Sequence, residues 1–255
     1  MNRSKAMMRR FLSVKLSLIV ILVNLLLPAL AQPSEAEVAS KLWDAVGGKE
    51  NWENARYFMF SCVGGDNRRL IEGERKYLWD KQTGDIRFEG MTTDDEQIVA
   101  LFNLRTAQGA IFVSGQQLDN PATTKNIIEE ITAIFENDAH LLFLPTVLDG
   151  ERVSFTVADE KLVGTQRFTV VDVDNQKTSF ETAVRGRLYI DMQTGRIQQW
   201  SPGNQHEKFS VSGFKDVGGG LVLPTRFTDG DSVTTIRYPL AAALINIESQ
   251  KFSRP

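Results

Sequence analysis

The chain has 255 residues, with 32 acidic side chains against 29 basic ones, two histidines and one cysteine. One cysteine excludes an intramolecular disulfide, and Cys62 lies in the apolar run Tyr57 to Val63, where a buried thiol is expected. The net charge of −3 understates the acidity beyond the leader. The first 31 residues hold five bases and no acid, so the other 224 carry −8, which disfavours nucleic acid and anionic membrane surfaces as partners.

The chain opens as an export signal. Arg3, Lys5, Arg9, Arg10 and Lys15 precede an uncharged stretch from Leu16 to Leu27, then Pro28 and the small-residue site Ala29-Leu30-Ala31. That stretch is about a dozen residues, short of the roughly twenty that span a bilayer. Residues 1–31 are therefore expected to be cleaved, leaving no stable membrane span and a mature chain from Gln32. Its expected location is the periplasm, with outer-membrane association or secretion as variants. Residues 32–255 suit one β-rich domain with a core large enough to need no disulfide.

Ser34-Glu35-Ala36-Glu37 forms a capping box, and Val38, Leu42, Trp43 and Val46 recur at helical spacing before Gly47-Gly48. From Arg56 to about Val113 the pattern alternates: Phe58/Phe60, Leu70 to Trp79, Ile86/Phe88, and Ile98/Ala100/Phe102/Leu104. A second helix follows Pro121, with Ile127, Ile128, Ile131, Ile134 and Phe135 on one face and glutamates largely opposite. Those glutamates argue against a membrane-surface helix. From Glu151 the strand candidates are Val153–Val157, Arg167–Val173, Arg187–Met192, Arg196–Trp200, Glu207–Asp216, Leu221–Asp229, Ser232–Tyr238 and Ala243–Phe252. Their short returns favour antiparallel neighbours. The fold class is α+β, mainly β: a large curved antiparallel sheet with two principal helices on its concave side.

Chemistry-bearing motifs are sparse. His140 follows the second helix and His206 lies in a polar loop, neither with metal-ligand spacing. Asp94-Asp95-Glu96, Asp172 with Asp174, and Asp229 with Asp231 fit solvated loops or turns, although Asp172 and Asp174 share one strand face. The expectation is a protein that is no enzyme, with no catalytic residue, metal or cofactor. Apolar side chains are abundant instead, with 15 Phe and 4 Trp, and Tyr57 to Phe60 place bulky groups on both faces of one strand. Two readings stay open: a filled core, or an apolar cavity that takes an acyl chain. Each buried CH₂ contributes about 0.8 kcal/mol, so a long chain would gain on the order of 10 kcal/mol before entropic losses.

Several late motifs sharpen the second reading. They are Arg187-Leu188-Tyr189-Ile190-Asp191 with Thr194-Gly195-Arg196-Ile197, Gly218-Gly219-Gly220-Leu221-Val222-Leu223-Pro224-Thr225, Ile245-Asn246-Ile247, and Phe252-x-x-Pro255. In this order, and with Phe135-Glu136-Asn137-Asp138 before an apolar run to Pro145, the chain resembles the LolA/LolB-like superfamily of outer-membrane lipoprotein-sorting proteins. The resemblance implies an unclosed half-barrel lidded by helices, binding a lipid or a lipoprotein acyl chain. The lining would be Phe58, Phe60, Trp79, Phe88, Phe102 and Leu104 beneath Ile127, Ile131 and Phe135. The rival classes are an envelope structural protein whose partner is another protein, and an exported hydrolase built on Asp172 and Asp174.

Overall fold

The computed structural model describes residues 32–65, 70–149, 153–158, 160–178, 180, 182–203, 208–230 and 234–255. The expected signal at 1–31, His206 and Asp231 lie outside the described residues.

Helix α1 (Glu35–Val46) begins as its capping box dictates: the Ser34 hydroxyl accepts the Glu37 amide at 3.2 Å, and Val38, Leu42 and Val46 are buried. It ends at Gly47, whose φ of 103° falls in the left-handed region, and a Cβ there would lie 1.8 Å from the Gly220 carbonyl oxygen. The 218–220 glycine turn and the helix end thus meet backbone to backbone. The glycine pair reads as a stop, yet the chain resumes as α2 (Lys49–Asn54), held down by the fully buried Trp52.

The expected meander follows as β1 (Tyr57–Cys62), β2 (Ile71–Asp80), β3 (Asp85–Thr92), β4 (Gln97–Asn103), β5 (Gln108–Val113) and β6 (Gln116–Gln117). Cross-strand register pairs Phe58 with Trp79, Phe60 with Tyr77, Tyr77 with Phe88, and Ile86 with Phe102. The period of two sends this whole set to one face, here called the inner face. Helix α3 (Pro121–Leu142) interrupts the sheet. Asn120 caps it by accepting the amides of Ala122 and Thr123, Pro121 occupies the first turn, and a 3₁₀ turn follows at Leu144–Thr146.

The second half adds β7 (Val153–Val157), β8 (Lys161–Val163), β9 (Gln166–Asn175), β10 (Val184–Asp191), β11 (Arg196–Pro202), β12 (Phe209–Ser212), β13 (Lys215–Gly218), β14 (Leu221–Leu223), β15 (Arg226–Asp229), β16 (Thr235–Arg237) and β17 (Ala241–Leu244). Hydrogen bonding makes a seven-stranded sheet ordered β17-β1-β2-β3-β4-β5-β6 and an eight-stranded sheet ordered β16-β15-β12-β11-β10-β9-β7, with β13 and β14 as a separate ribbon. The two sheets adjoin beside β1. Val63 and Arg237 exchange amide-to-carbonyl bonds of 2.8 and 2.9 Å, and the Ser61 amide donates to the Leu240 carbonyl at 2.9 Å.

The fold is α+β and mainly β, with antiparallel sheets and no closed barrel among the described residues: β6 and β7 remain outer strands. Residues Ser34–Pro255 form one compact unit; the main apolar core draws on both sheets, α1 and α3, and a smaller cluster gathers Phe168, Val170 and Tyr189 on β9 and β10.

Three strand expectations are corrected. Glu207–Asp216 contains two strands, β12 and the start of β13, parted at Gly213, whose φ of 69° leaves the extended region. Leu221–Asp229 is two strands, because Pro224 has no amide to continue the ladder. Ala243–Phe252 is strand only through Leu244. The chain then leaves the sheet edge and ends in a 3₁₀ turn at Ser249–Phe252, because contacts on the opposite, outer face of the sheet capture it.

Candidate functional site

The inner face collects the expected lining. Phe58, Phe60, Trp79, Phe88, Phe102, Ile131 and Phe135 are buried, and Leu104 and Ile127 pack at the margin of the same core. Ring contacts tie them together: Phe58 to Trp79 at 5.8 Å, Phe60 to Phe135 at 6.1 Å and Trp79 to Phe135 at 5.8 Å. Phe143, which sequence reasoning passed over, is the hub. Its ring lies 5.0 Å from Phe58, 5.4 Å from Trp52, 5.6 Å from Trp79, 5.7 Å from Phe60 and 5.8 Å from Phe180. These geometries are tilted or edge-to-face, as ring quadrupoles prefer. Aromatic side chains occupy the space between the sheet and α3.

A buried polar node locks α3 to that face. The Arg75 guanidinium donates to both carboxylate oxygens of Asp138, at 2.7 and 3.0 Å, and to the Gly64 carbonyl at 2.8 Å. Tyr77 donates its hydroxyl to Asp138 at 2.7 Å, and Tyr238 donates to the Asp138 backbone carbonyl at 2.6 Å. Burial lowers the proton affinity of Arg75, but the carboxylate more than offsets this and holds it above its ordinary value. Burial and the nearby carboxylate raise Tyr77 well above the ordinary tyrosine range. Burial pushes the Cys62 thiol up as well, which keeps it protonated and inert. Arg75 and Asp138 are 63 residues apart, and no spacing rule joins them.

The remaining candidates fall into ordinary roles. Asp172 accepts from Arg187 at 2.7 Å and Asp174 from Arg185 at 2.8 Å, both pairs across neighbouring strands and exposed to solvent. Asp94 and Glu96 sit in a turn whose amides donate to the Thr92 hydroxyl. Asp229 accepts from the Gly230 amide in its own turn. His140 is partly exposed, but its Nε2 is buried with no hydrogen-bond partner among the described residues, and burial pulls its pKa down to about 4. Its ring meets Trp200 edge-on at 5.3 Å. Lys81 lies 4.2 Å from the Trp52 ring centre and donates to the Trp52 carbonyl, and burial lowers its pKa to about 8.

The outer face of the same sheet carries the candidate site. Met59, Leu78 and Arg87 alternate out from β1, β2 and β3, with Lys76 and Glu89 forming the adjacent row. The chain beyond β17 crosses over them. Arg87 fastens it by donating to the Lys251 and Arg254 carbonyls at 3.2 and 2.5 Å, and Tyr57 stacks on Phe252 at 6.3 Å. A cleft of about 370 Å³ remains beneath this strap. Met59, Leu78 and Leu244, on β1, β2 and β17, line it from the sheet, Leu240 from the turn just before β17, and Ile247, Glu248 and Lys251 from the strap. Ile245 on the same strap is 83 % exposed, the highest value among the large apolar side chains described.

No family model matches the chain, and neither does any curated protein. Solved structures with a similar outline exist. One is a domain from Vibrio parahaemolyticus assigned to outer membrane lipoprotein sorting: 9 % identity, 85 % of this chain and 94 % of that one, TM-score 0.40. A second is a DUF1329 family protein from Desulfovibrio piger: 9 % identity, 87 % and 98 % coverage, TM-score 0.41. A third is LprF from Mycobacterium bovis: 10 % identity, 86 % and 99 % coverage, TM-score 0.31. The first is of the class that the late sequence motifs resemble. At these scores the likeness is one of outline, and no ligand or residue role is transferred from it.

Proposed function

We propose that the protein is an exported envelope protein without catalytic chemistry that binds a hydrophobic ligand, a lipid or acyl chain, in the cleft under its C-terminal strap. The observation that carries this reading is the cleft itself: about 370 Å³, lined by Met59, Leu78, Leu240, Leu244 and Ile247 together with charged side chains. That volume is near the lower end of small-molecule sites, which suits one apolar chain better than two. Burying about eight CH₂ groups there would contribute about 6 kcal/mol before the cost of association. The inner face suits a ligand less well. To admit one, α3 would have to part from the sheet, breaking the Arg75–Asp138 pair and the contacts around Phe143.

A second reading has its own support. The ring-packed inner face and the exposed Ile245 also fit an envelope protein whose partner is another protein. Mass spectrometry of organic extracts from protein recovered after export separates the two. Lipid bound at stoichiometric level in the native protein and absent from a folded Leu78→Glu/Leu244→Glu variant supports the ligand reading. Clean protein in both, with no uptake on titration, moves the assignment to a protein-binding component.

A further inference from the structure

Resting on the cleft as the ligand site, we infer that its ligand is an anionic single-chain amphiphile whose head group lies between Lys76 and Lys251. The lining includes three cations, Lys76, Arg87 and Lys251, against two acids, Glu89 and Glu248. Arg87 and Glu89 neutralise one another at 2.5 Å, and the guanidinium also holds two backbone carbonyls of the strap, so neither is free for a ligand. Lys76 has only a loose contact with Glu74, at 3.7 Å, with the two side chains 56 % and 41 % exposed. Such a pair contributes little and yields readily to a better anion. Lys251 is exposed and makes no ion pair among the described residues.

Both lysines line the cleft, Lys76 from the sheet row beside Leu78 and Lys251 from the strap. Glu248 is the single unpaired acid facing them. A tail laid on Met59, Leu78 and Leu244 beneath Ile247 brings its head to these amines. A carboxylate or a phosphate meets the same requirement, and a cationic head would forfeit both contacts. The long lysine stems cover part of the tail while their charges stay in water.

The test uses four probes with one twelve-carbon tail, each below its micelle-forming concentration: dodecanoate, dodecyl phosphate, dodecyl maltoside and dodecyltrimethylammonium. Calorimetric titration into protein recovered after export should show the anionic probes binding about tenfold tighter than the maltoside, the size expected from two exposed charge contacts. The cationic probe should be weakest, and the anionic advantage should shrink at high salt. In Lys76→Gln/Lys251→Gln the ratio of anionic to neutral affinity should fall to about one. The order of dodecanoate and dodecyl phosphate tells a fatty acid from a phosphate ester. Equal affinity of anionic and neutral probes for the native protein would overturn this inference and leave the cleft intact as a site. Binding that persists unchanged in a folded Leu78→Glu/Leu244→Glu variant, or no binding by any probe, would overturn the cleft reading itself.

Discussion

Strands β1, β2 and β3 contribute to both faces of the first sheet, and the two faces are finished differently. Inward, Phe58, Phe60, Tyr77, Trp79 and Phe88 interlock with Phe135 and Phe143, and the one charged pair, Arg75 with Asp138, has its hydrogen-bonding groups satisfied. Outward, Met59 and Leu78 meet a strap fastened at Arg87 and Tyr57, and a cleft is left between those fixings. Helix α3 covers the first face with regular, capped structure, so its packing can close. A few residues of irregular chain cover the second, and irregular chain cannot match a pleated surface along its whole length. The inner face therefore accounts for stability, and the outer one is where a ligand finds room.

That contrast can be broken from either side. The largest effect is expected at the buried ion pair. Asp138→Ala strands a guanidinium among apolar groups and should cost about 3–5 kcal/mol in urea unfolding. Phe58→Ala on the inner face should cost a similar amount, about 3–5 kcal/mol, through the cavity it leaves. Its partner substitution on the outer face, Leu240→Ser, removes a side chain that is already 38 % exposed and should cost less than about 1 kcal/mol while weakening ligand binding. A Phe58→Ala protein that stays stable and loses ligand would reverse the roles assigned to the two faces.

Acid should act through the inner side. His140 titrates near 4 when folded and near 6.5 when unfolded, so between those values the unfolded chain holds the extra proton. Its contribution is fully present above about pH 6.5 and is lost as the pH falls toward 4, up to about 3 kcal/mol. Thermal melts of the native protein and of His140→Phe should diverge across that window and run parallel above it. The smallest effect is expected on the exposed strand face of the other sheet: Arg187→Gln breaks the pair with Asp172 and should change stability by less than about 1 kcal/mol.

Local rules in the sequence account for much of the frame. Ser34 with Glu37, and Pro121 with the isoleucines after it, mark α1 and α3, because capping and helical periodicity act over a few residues. Alternation places Phe58, Phe60 and Trp79 on one face, since a strand's period is two. The Arg75–Asp138 pair is not legible, because the two come from a strand and a helix whose meeting depends on the whole sheet. Phe143 is hidden in an apolar run with no period of its own. The strap is hidden for a related reason: Ile245 and Ile247 alternate like a strand, and only Arg87 and Tyr57, distant in sequence, show that the chain turns away. The candidate cleft, which depends on that strap, could not be seen before the fold.

The most direct test of the outer-cleft site is methyl-resolved NMR of the exported protein titrated with dodecyl phosphate. Saturable shifts are expected at the methyl groups of Met59, Leu78, Leu240, Leu244 and Ile247, with Ile128, Ile131 and Ile134 on α3 unmoved. Shifts centred on those three isoleucines, with the strap methyls silent, would contradict the outer-cleft site and place the ligand on the inner face.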